Sequence, residues 1–225
     1  MDGTVLEQQS SFFNKKLNDI KSKINPEFPW YPYGSLANFV HLRHIFNVYP
    51  LETLVGQSNK TLDIGAADGD LAFFLESIGY NADIIDLPAT NFNNLEGARL
   101  IKKELNSSVN IYEEDLDSQF PPLHEKYGVI FFLGILYHLK NPFYILETLN
   151  RSAENLIIST RIAKYTKDGT RISEYPIAYL LAPDECNNDS TNYWIFSYKG
   201  LERIFERTGW KITEMFSIGD INKSN

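Results

Sequence analysis

The chain reads as a single α/β domain: a doubly wound, mainly parallel sheet flanked by helices and preceded by a helical extension. Three features predict this. From residue 61 onward, short apolar runs alternate with amphipathic segments, the pattern of βαβ units. A turn bearing Gly65 and Gly69 follows the first apolar run, where such sheets place a ligand loop. Before residue 60 the apolar spacing is helical, not alternating.

The elements follow in chain order. In "VLEQQSSFFNKKLNDIKSKI", Leu6, Phe13, Leu17, Ile20 and Ile24 fall near one helical face, predicting an N-terminal helix. "NPEFPWYPYGS" carries three prolines and four aromatics, which excludes regular helix and predicts an extended, partly buried connector. "SLANFVHLRHIF" gives a second helix. Strands are then expected near 61–65, 82–86, 108–112, 128–133, 155–160 and 211–217, with helices near 70–78, 93–105, 141–151 and 199–208. Asn141 with Pro142 punctuates the start of the third of these helices, and Ser197 and Gly209 bracket the fourth. The Tyr-rich stretch 161–197, which includes Trp194, is an aromatic insert expected to form a wall or lid. The organisation predicted is a helical cap over 1–59 joined to a domain over 60–225 within one folded unit.

Composition narrows the function. A chain of 225 residues can bury one large core, and a formal net charge of −8 repels phosphate backbones, so nucleic acid is disfavoured as a partner. No apolar run approaches the ~18–20 residues of a membrane span, and no signal-like start is present; a cytoplasmic protein is expected. The single Cys186 cannot form an intramolecular disulfide and is given no role. His41 and His44 stand at i and i+3 on the second helix, without a third ligand at suitable spacing, so no metal site is predicted. The oligomeric state is not legible.

The glycine turn is the most informative stretch. "TLDIGAADGDLAFFL" lacks the Lys of a nucleotide-phosphate loop, and Ala67 stands where a dinucleotide fold would have its second glycine. Asp63, Asp68 and Asp70 crowd the turn, where a phosphate would meet like charge, so the acids suit a cationic or hydroxyl-bearing ligand. A nicotinamide oxidoreductase is accordingly the weakest reading.

"LDIGAADGDLAFFLE" resembles motif I of the class I S-adenosylmethionine-dependent methyltransferases, with Ala67 in place of the usual middle glycine. The resemblance implies a Rossmann-like fold and S-adenosylmethionine as cofactor. It implies that Asp63 favours the methionine ammonium and that Gly65, Ala67 and Gly69 allow close backbone approach. Asp86, which closes "ADIIDL" 23 positions after Asp63, would accept the ribose hydroxyls, with Leu87 beside it. Asp115 and Leu116 match the position that meets adenine, and Leu133 with Gly134 ends the fourth strand, after which Ile135 and Leu136 would pass over the cofactor.

"GILYHLKNP" is similar to a segment of the bacterial tRNA wobble-uridine carboxymethyltransferase group, but Leu139 and Lys140 replace two arginines there. "LIISTRIA" and "TNYWIFSYKGLERIFERTGW" continue the likeness, and the usual seventh strand is missing or truncated. By this resemblance His138 is the candidate base and Tyr137 shapes the sulfonium pocket; Trp30, Tyr33, Tyr193 and Trp194 are expected to form the acceptor pocket. The function read is in-line methyl transfer to a small-molecule or sugar-type acceptor. The alternatives are an RNA-base (carboxy)methyltransferase, for which Lys15, Lys16, Lys21 and Lys23 form the visible basic cluster, and a non-catalytic cofactor-binding protein.

Overall fold

The computed structural model describes residues 1–24, 26–118, 123 and 125–219. They fall into two compact units: Met1–Asp115 with Glu125–Phe131 and Ala153–Ile157, and Leu116–His124 with Phe132–Ser152 and Ile158–Asn225.

In the first unit, α1 (Gly3–Lys23) starts where the Asp2 carboxylate accepts the backbone N–H groups of Thr4 and Val5. It buries Leu6, Ser10, Phe13 and Leu17 at helical spacing. α2 (Phe39–Val48) buries Phe39, Leu42 and Phe46. Phe39 and Phe13 both pack on Phe74 of α4 (Asp70–Ser77), with ring centroids 5.2 and 5.8 Å away. The helical extension is thereby joined to the first helix after the sheet begins. Between α2 and the sheet, α3 (Leu51–Val55) turns the chain.

The main sheet contains β1 (Lys60–Ile64), β2 (Asn81–Asp86), β3 (Asn110–Glu113), β4 (Tyr127–Leu133) and β5 (Ala153–Ser159) in the order β3-β2-β1-β4-β5. β1 pairs with β2 in parallel register from Lys60↔Asn81 to Ile64↔Ile85, and β2 with β3 from Asp83↔Asn110 to Asp86↔Glu113. Thr61–Ile64 and Tyr127–Phe132 are buried without alternation, as strands covered on both faces must be. Asp83 tolerates this interior because Tyr127 Oη–H and Asn110 Nδ2–H donate to it at 2.9 and 2.8 Å. α5 (Glu96–Leu105) lies between β2 and β3 in the chain. The strand order reverses between β1 and β4, so the turn after β1 stands at the switch point where doubly wound sheets bind ligands.

In the second unit, α6 begins at Pro142, as its fixed φ favours, and runs to Ser152. β6 (Ala178–Leu180) and β7 (Trp194–Phe196) form an antiparallel pair from Ala178↔Phe196 to Leu180↔Trp194. They lie within the aromatic insert, which has its own small core of Ala163, Ile172 and Ile195 packed by Ile177, Tyr179, Leu181 and Cys186. α7 (Tyr198–Arg207) is capped by Ser197, whose hydroxyl accepts the N–H of Gly200 at 2.9 Å, and Gly209 follows its end at φ +85°.

Two expectations from sequence are corrected, and two short strands are added. The strand expected at 211–217 does not form: no ladder pairs with it among the described residues, and residues 220–225 lie outside them. Its alternation places Glu214 between Ile212 and Phe216 on one face, so neither face is apolar enough to be drawn into the sheet. β6 and β7 escaped the sequence reading because each has only three residues and is apolar on both faces. The helix expected from residue 93 starts at Glu96, because Asn94 and Leu95 take left-handed backbone angles.

Candidate functional site

The turn after β1 is built from positive-φ residues. Gly65, Ala67 and Gly69 have φ of +70°, +57° and +83°. Ala67 thus adopts the conformation a glycine would take there, which explains how alanine replaces the middle glycine of the motif. Gly69 has a second constraint: a Cβ would come within 2.6 Å of Phe73 and 2.9 Å of Ile84, so its hydrogen lets α4 start close against β2.

Asp63, on β1, and Asp86, at the end of β2, face this turn. Asp86 Oδ2 accepts the Ala67 N–H at 3.1 Å and the Asn91 side-chain amide at 3.0 Å; Oδ1 accepts the Leu87 N–H at 2.8 Å. Asn91 also donates to the Ala67 carbonyl, and its oxygen accepts the N–H groups of Asn93 and Leu95. One buried amide therefore fixes the turn, the strand-end acid and the loop before α5. Burial raises the Asp86 carboxyl above its usual range, against the lowering effect of these hydrogen bonds. Asp63 is raised further, to about 8, first by burial and then by the charges of Asp86 and Asp70. Its Oδ2 is buried without a hydrogen-bond partner among the described residues.

The neighbouring acids behave differently from expectation. Asp68 and Asp70 are expected to suit a cationic or hydroxyl-bearing ligand, and the cation they meet is the chain's own Lys21, whose Nζ lies 3.0 Å from Asp68 Oδ2 and 3.1 Å from Asp70 Oδ1. Asp68 also accepts the Tyr31 N–H at 3.0 Å and the Asn93 amide at 2.8 Å. Burial still raises the Asp70 carboxyl, opposed by Lys21. Gly97 permits this packing, since a Cβ there would lie 2.1 Å from Asp68 Oδ1. Lys21 Nζ is also 5.4 Å from the centroid of the Trp30 ring. Trp30 is therefore tied to the turn through Lys21, whereas Tyr33 is 78 % exposed and packs on Tyr31.

Leu87 contributes its backbone N–H, as above. Asp115 follows β3 just past the register partner of Asp86, and the Glu114 N–H donates to the Asp86 carbonyl at 3.2 Å. These residues, with Asp63, Gly65, Ala67 and Gly69, form one cluster in the first unit.

The second unit gathers Leu133, Gly134, Tyr137, His138, Tyr193 and Trp194; Leu116 is buried there too. Gly134 leaves β4 at φ +75° while its N–H donates to the Ser159 carbonyl at 2.9 Å. A one-turn 3-10 helix, Leu136–His138, presents Tyr137 and His138 with ring centroids 4.3 Å apart. The Tyr193 N–H donates to the Tyr137 carbonyl at 2.8 Å, joining the residue before β7 to this turn. His138 Nδ1 lies 2.9 Å from Thr191 Oγ1 and 3.1 Å from the Thr191 carbonyl. The Thr191 hydroxyl donates to Asp189 Oδ1 at 2.6 Å, so both atoms facing Nδ1 are acceptors. Nδ1 carries the proton, and Nε2 is left as the basic nitrogen. Burial lowers the His138 pKa below its ordinary value, Arg161 lowers it further, and Thr191 and Asp189 oppose the shift.

Sequence reasoning missed Lys21, Asn91, Thr191 and Asp189. Lys21 was read as part of a basic cluster, and the Asn-rich stretch at 91–94 carried no signal beyond loop composition. Among the described residues no group of His, Cys, Asp and Glu suits a metal ion, and no helix is long and apolar enough to cross a membrane.

A family model described as a methyltransferase domain matches residues 51–215. No curated protein sequence matches the chain. Among solved structures, a Bacillus halodurans protein described as a candidate methyltransferase superposes with a TM-score of 0.53 at 16% identity, over 69% of this chain and 64% of that one. The N-terminal domain of EvdMO1 with SAH bound superposes with a TM-score of 0.57 at 15% identity, over 93% of this chain and 87% of that one. The same domain in the presence of SAH and D-fucose gives 0.59 at 16% identity with the same coverage. The chain thus spans less than two thirds of the Bacillus halodurans protein, and 41% of the longer EvdMO1 chain.

Proposed function

We propose, for a chain that belongs to the methyltransferase-domain family and has the class I S-adenosylmethionine-dependent fold, that it methylates a small-molecule or sugar-type acceptor with S-adenosylmethionine as methyl donor. The observation that carries the cofactor assignment is that Asp86 is bound to the positive-φ turn and lies close enough to the buried Asp63 for its charge to act on it. The buried, unpartnered Oδ2 of Asp63 suits an ammonium group, and Asp86 suits a ribose diol. Gly65 and Ala67 would leave the backbone open to close approach, and Asp115 and Leu116 would border the adenine. When bound, the sulfonium supplies an activated methyl group with a neutral thioether as leaving group.

The chain's own residues supply position and a proton acceptor. His138 is held as the Nδ1-protonated tautomer by Thr191, so Nε2 can take the proton from an acceptor hydroxyl or amine. Its lowered pKa keeps it neutral, and therefore basic, near neutral pH. Tyr137 would pack its ring face toward positive charge. In the second unit Tyr193 and Trp194 would supply an aromatic surface that suits a sugar-type acceptor, as Trp30 and Tyr33 would in the first, and D-fucose accompanies the EvdMO1 domain of similar fold. The acidic chain charge favours this acceptor class over nucleic acid.

Calorimetry with S-adenosylhomocysteine and NAD tests the cofactor assignment: the former binds and the latter does not. Transfer of labelled methyl from S-adenosylmethionine to a panel of sugars and small acids, with bulk tRNA as comparison, tests the acceptor class. Methylation of tRNA alone would overturn it.

A further inference from the structure

Among the described residues Arg161 has no anionic partner. Its guanidinium lies over the Tyr137 ring, with Cζ 5.3 Å from the centroid. Its Nε is buried without a hydrogen-bond partner, and no ion pair to Arg161 occurs among the described residues. The carboxylate of Asp189 is engaged by the N–H and hydroxyl of Thr191.

The chain around Arg161 is rich in donors. Residues 161–163 run alongside β7, where Ile162 pairs with Phe196 and the Ala163 N–H donates to the Phe196 carbonyl at 2.9 Å. β7 begins with Trp194, whose Nε1–H is also buried without a partner. Lys140 Nζ lies 5.4 Å from the centroid of the Tyr193 ring. One acceptor in the same stretch, Asn192 Oδ1, is buried and unpaired too.

Leaving the buried Nε–H of a guanidinium without an acceptor is unfavourable, and native proteins keep such groups where a ligand completes them. The planar fork of arginine matches a carboxylate or a phosphate through two parallel hydrogen bonds, with its face left for stacking on an aromatic ring. The arrangement over Tyr137 is of that kind. The overall charge of −8 repels anions at long range, so recognition here must be local to these donors.

We propose that Arg161, held over Tyr137, binds a carboxylate or phosphate group on the methyl acceptor, and that the acceptor is a small hydroxylated acid or sugar phosphate. The proposal rests on the reading of Tyr137 and His138 as the acceptor site.

The test is a titration of the full chain, with and without S-adenosylhomocysteine, using inorganic phosphate, glucose 6-phosphate, glucuronate and glucose, followed by calorimetry and by the imidazole resonances of His138. The charged compounds should bind at millimolar concentration and move the His138 signals; glucose should not. Response to glucuronate alone would assign a carboxylate, and response to the phosphates alone a phosphate. Arg161→Gln should weaken anion binding by roughly tenfold or more while S-adenosylhomocysteine affinity is unchanged. Arg161→Lys, which keeps the charge and removes the planar fork, should weaken it less; it stands in if Arg161→Gln fails to fold. Equal binding of glucose and its charged derivatives, no anion binding at all, or variants that bind anions like the wild type would overturn the proposal. Collapse of S-adenosylhomocysteine affinity in Arg161→Gln would assign the arginine to the cofactor carboxylate and also overturn it. Failure of S-adenosylhomocysteine to bind the wild type counts against the methyl-transfer reading alone, because the anion titration is also made without it.

Discussion

Asp86 Oδ2, at the end of β2, accepts the backbone N–H of Ala67 in the turn after β1 at 3.1 Å. With Leu87 N–H on the other oxygen and the Asn91 amide alongside, three of roughly four acceptor directions on this carboxylate are occupied. A diol can be accepted at two points only if Asn91 yields its bond. Asp86→Ala should therefore weaken S-adenosylhomocysteine binding by about 1.5–3 kcal/mol, the range for a charge-assisted hydrogen bond, as measured by calorimetry. Asp86→Asn should be no milder, since an amide NH₂ would face a backbone N–H on one side or the other. Affinity should also fall on acidification, through the raised pKa of this group.

Asp63 gives a pH dependence of opposite origin. With its folded-state pKa raised to about 8, the native protein holds a proton that the unfolded chain has already released. Stability contributed by this group is present below the ordinary carboxylate range and is lost as pH rises through about 8. Thermal melts of wild type and Asp63→Asn should diverge as pH rises, with the variant relatively more stable at alkaline pH. Parallel curves would contradict the assignment. Arrival of an ammonium should ionise Asp63, so S-adenosylhomocysteine binding near neutral pH should release a proton in the wild type and not in Asp63→Asn, as read from calorimetry in buffers of different ionisation enthalpy.

Lys21 holds two acids that are almost wholly buried, with 1% and 6% of their side-chain surfaces exposed. Lys21→Met removes the cation and leaves both behind, a change that typically destabilises by about 3–5 kcal/mol. Urea unfolding should show that loss, and adding Asp70→Asn to the variant should recover part of it. A double variant no more stable than Lys21→Met would mean that the ion pair is not what Lys21 contributes.

What the sequence revealed and what it hid divide along a physical line. The placement of Asp63, Gly65 and Asp86 around one turn was legible because it depends on position along strands and on a turn whose φ values are local properties. Even the departure at Ala67 was legible as tolerable, and its φ of +57° gives the reason. Lys21, Asn91 and Thr191 act across the tertiary fold: Lys21 reaches Asp68 over 47 positions, and His138 meets Thr191 over 53. No spacing rule connects such pairs. The strand expected at 211–217 failed for a related reason, since a strand needs a partner as well as an alternating pattern, and none pairs with it among the described residues.

His138 offers the most direct check on the chemistry. Its Nδ1 faces two acceptors, Thr191 Oγ1 and the Thr191 carbonyl, and the hydroxyl proton of Thr191 is directed to Asp189. Nitrogen-15 NMR should therefore find His138 in the Nδ1-protonated tautomer, with a pKa below the ordinary histidine value. His138→Ala should cut turnover ~10²-fold or more and leave S-adenosylhomocysteine affinity unchanged, the signature of a base that acts in the transition state. Thr191→Val should have a smaller effect, because the backbone carbonyl still accepts the Nδ1 proton. In the wild type, turnover should fall on acidification only once pH passes below the usual histidine range, since burial and Arg161 both hold the imidazole neutral. A His138→Ala variant that keeps full turnover, or an Nε2-protonated tautomer in the wild type, would remove the base from His138 and leave the residue a structural role against Thr191.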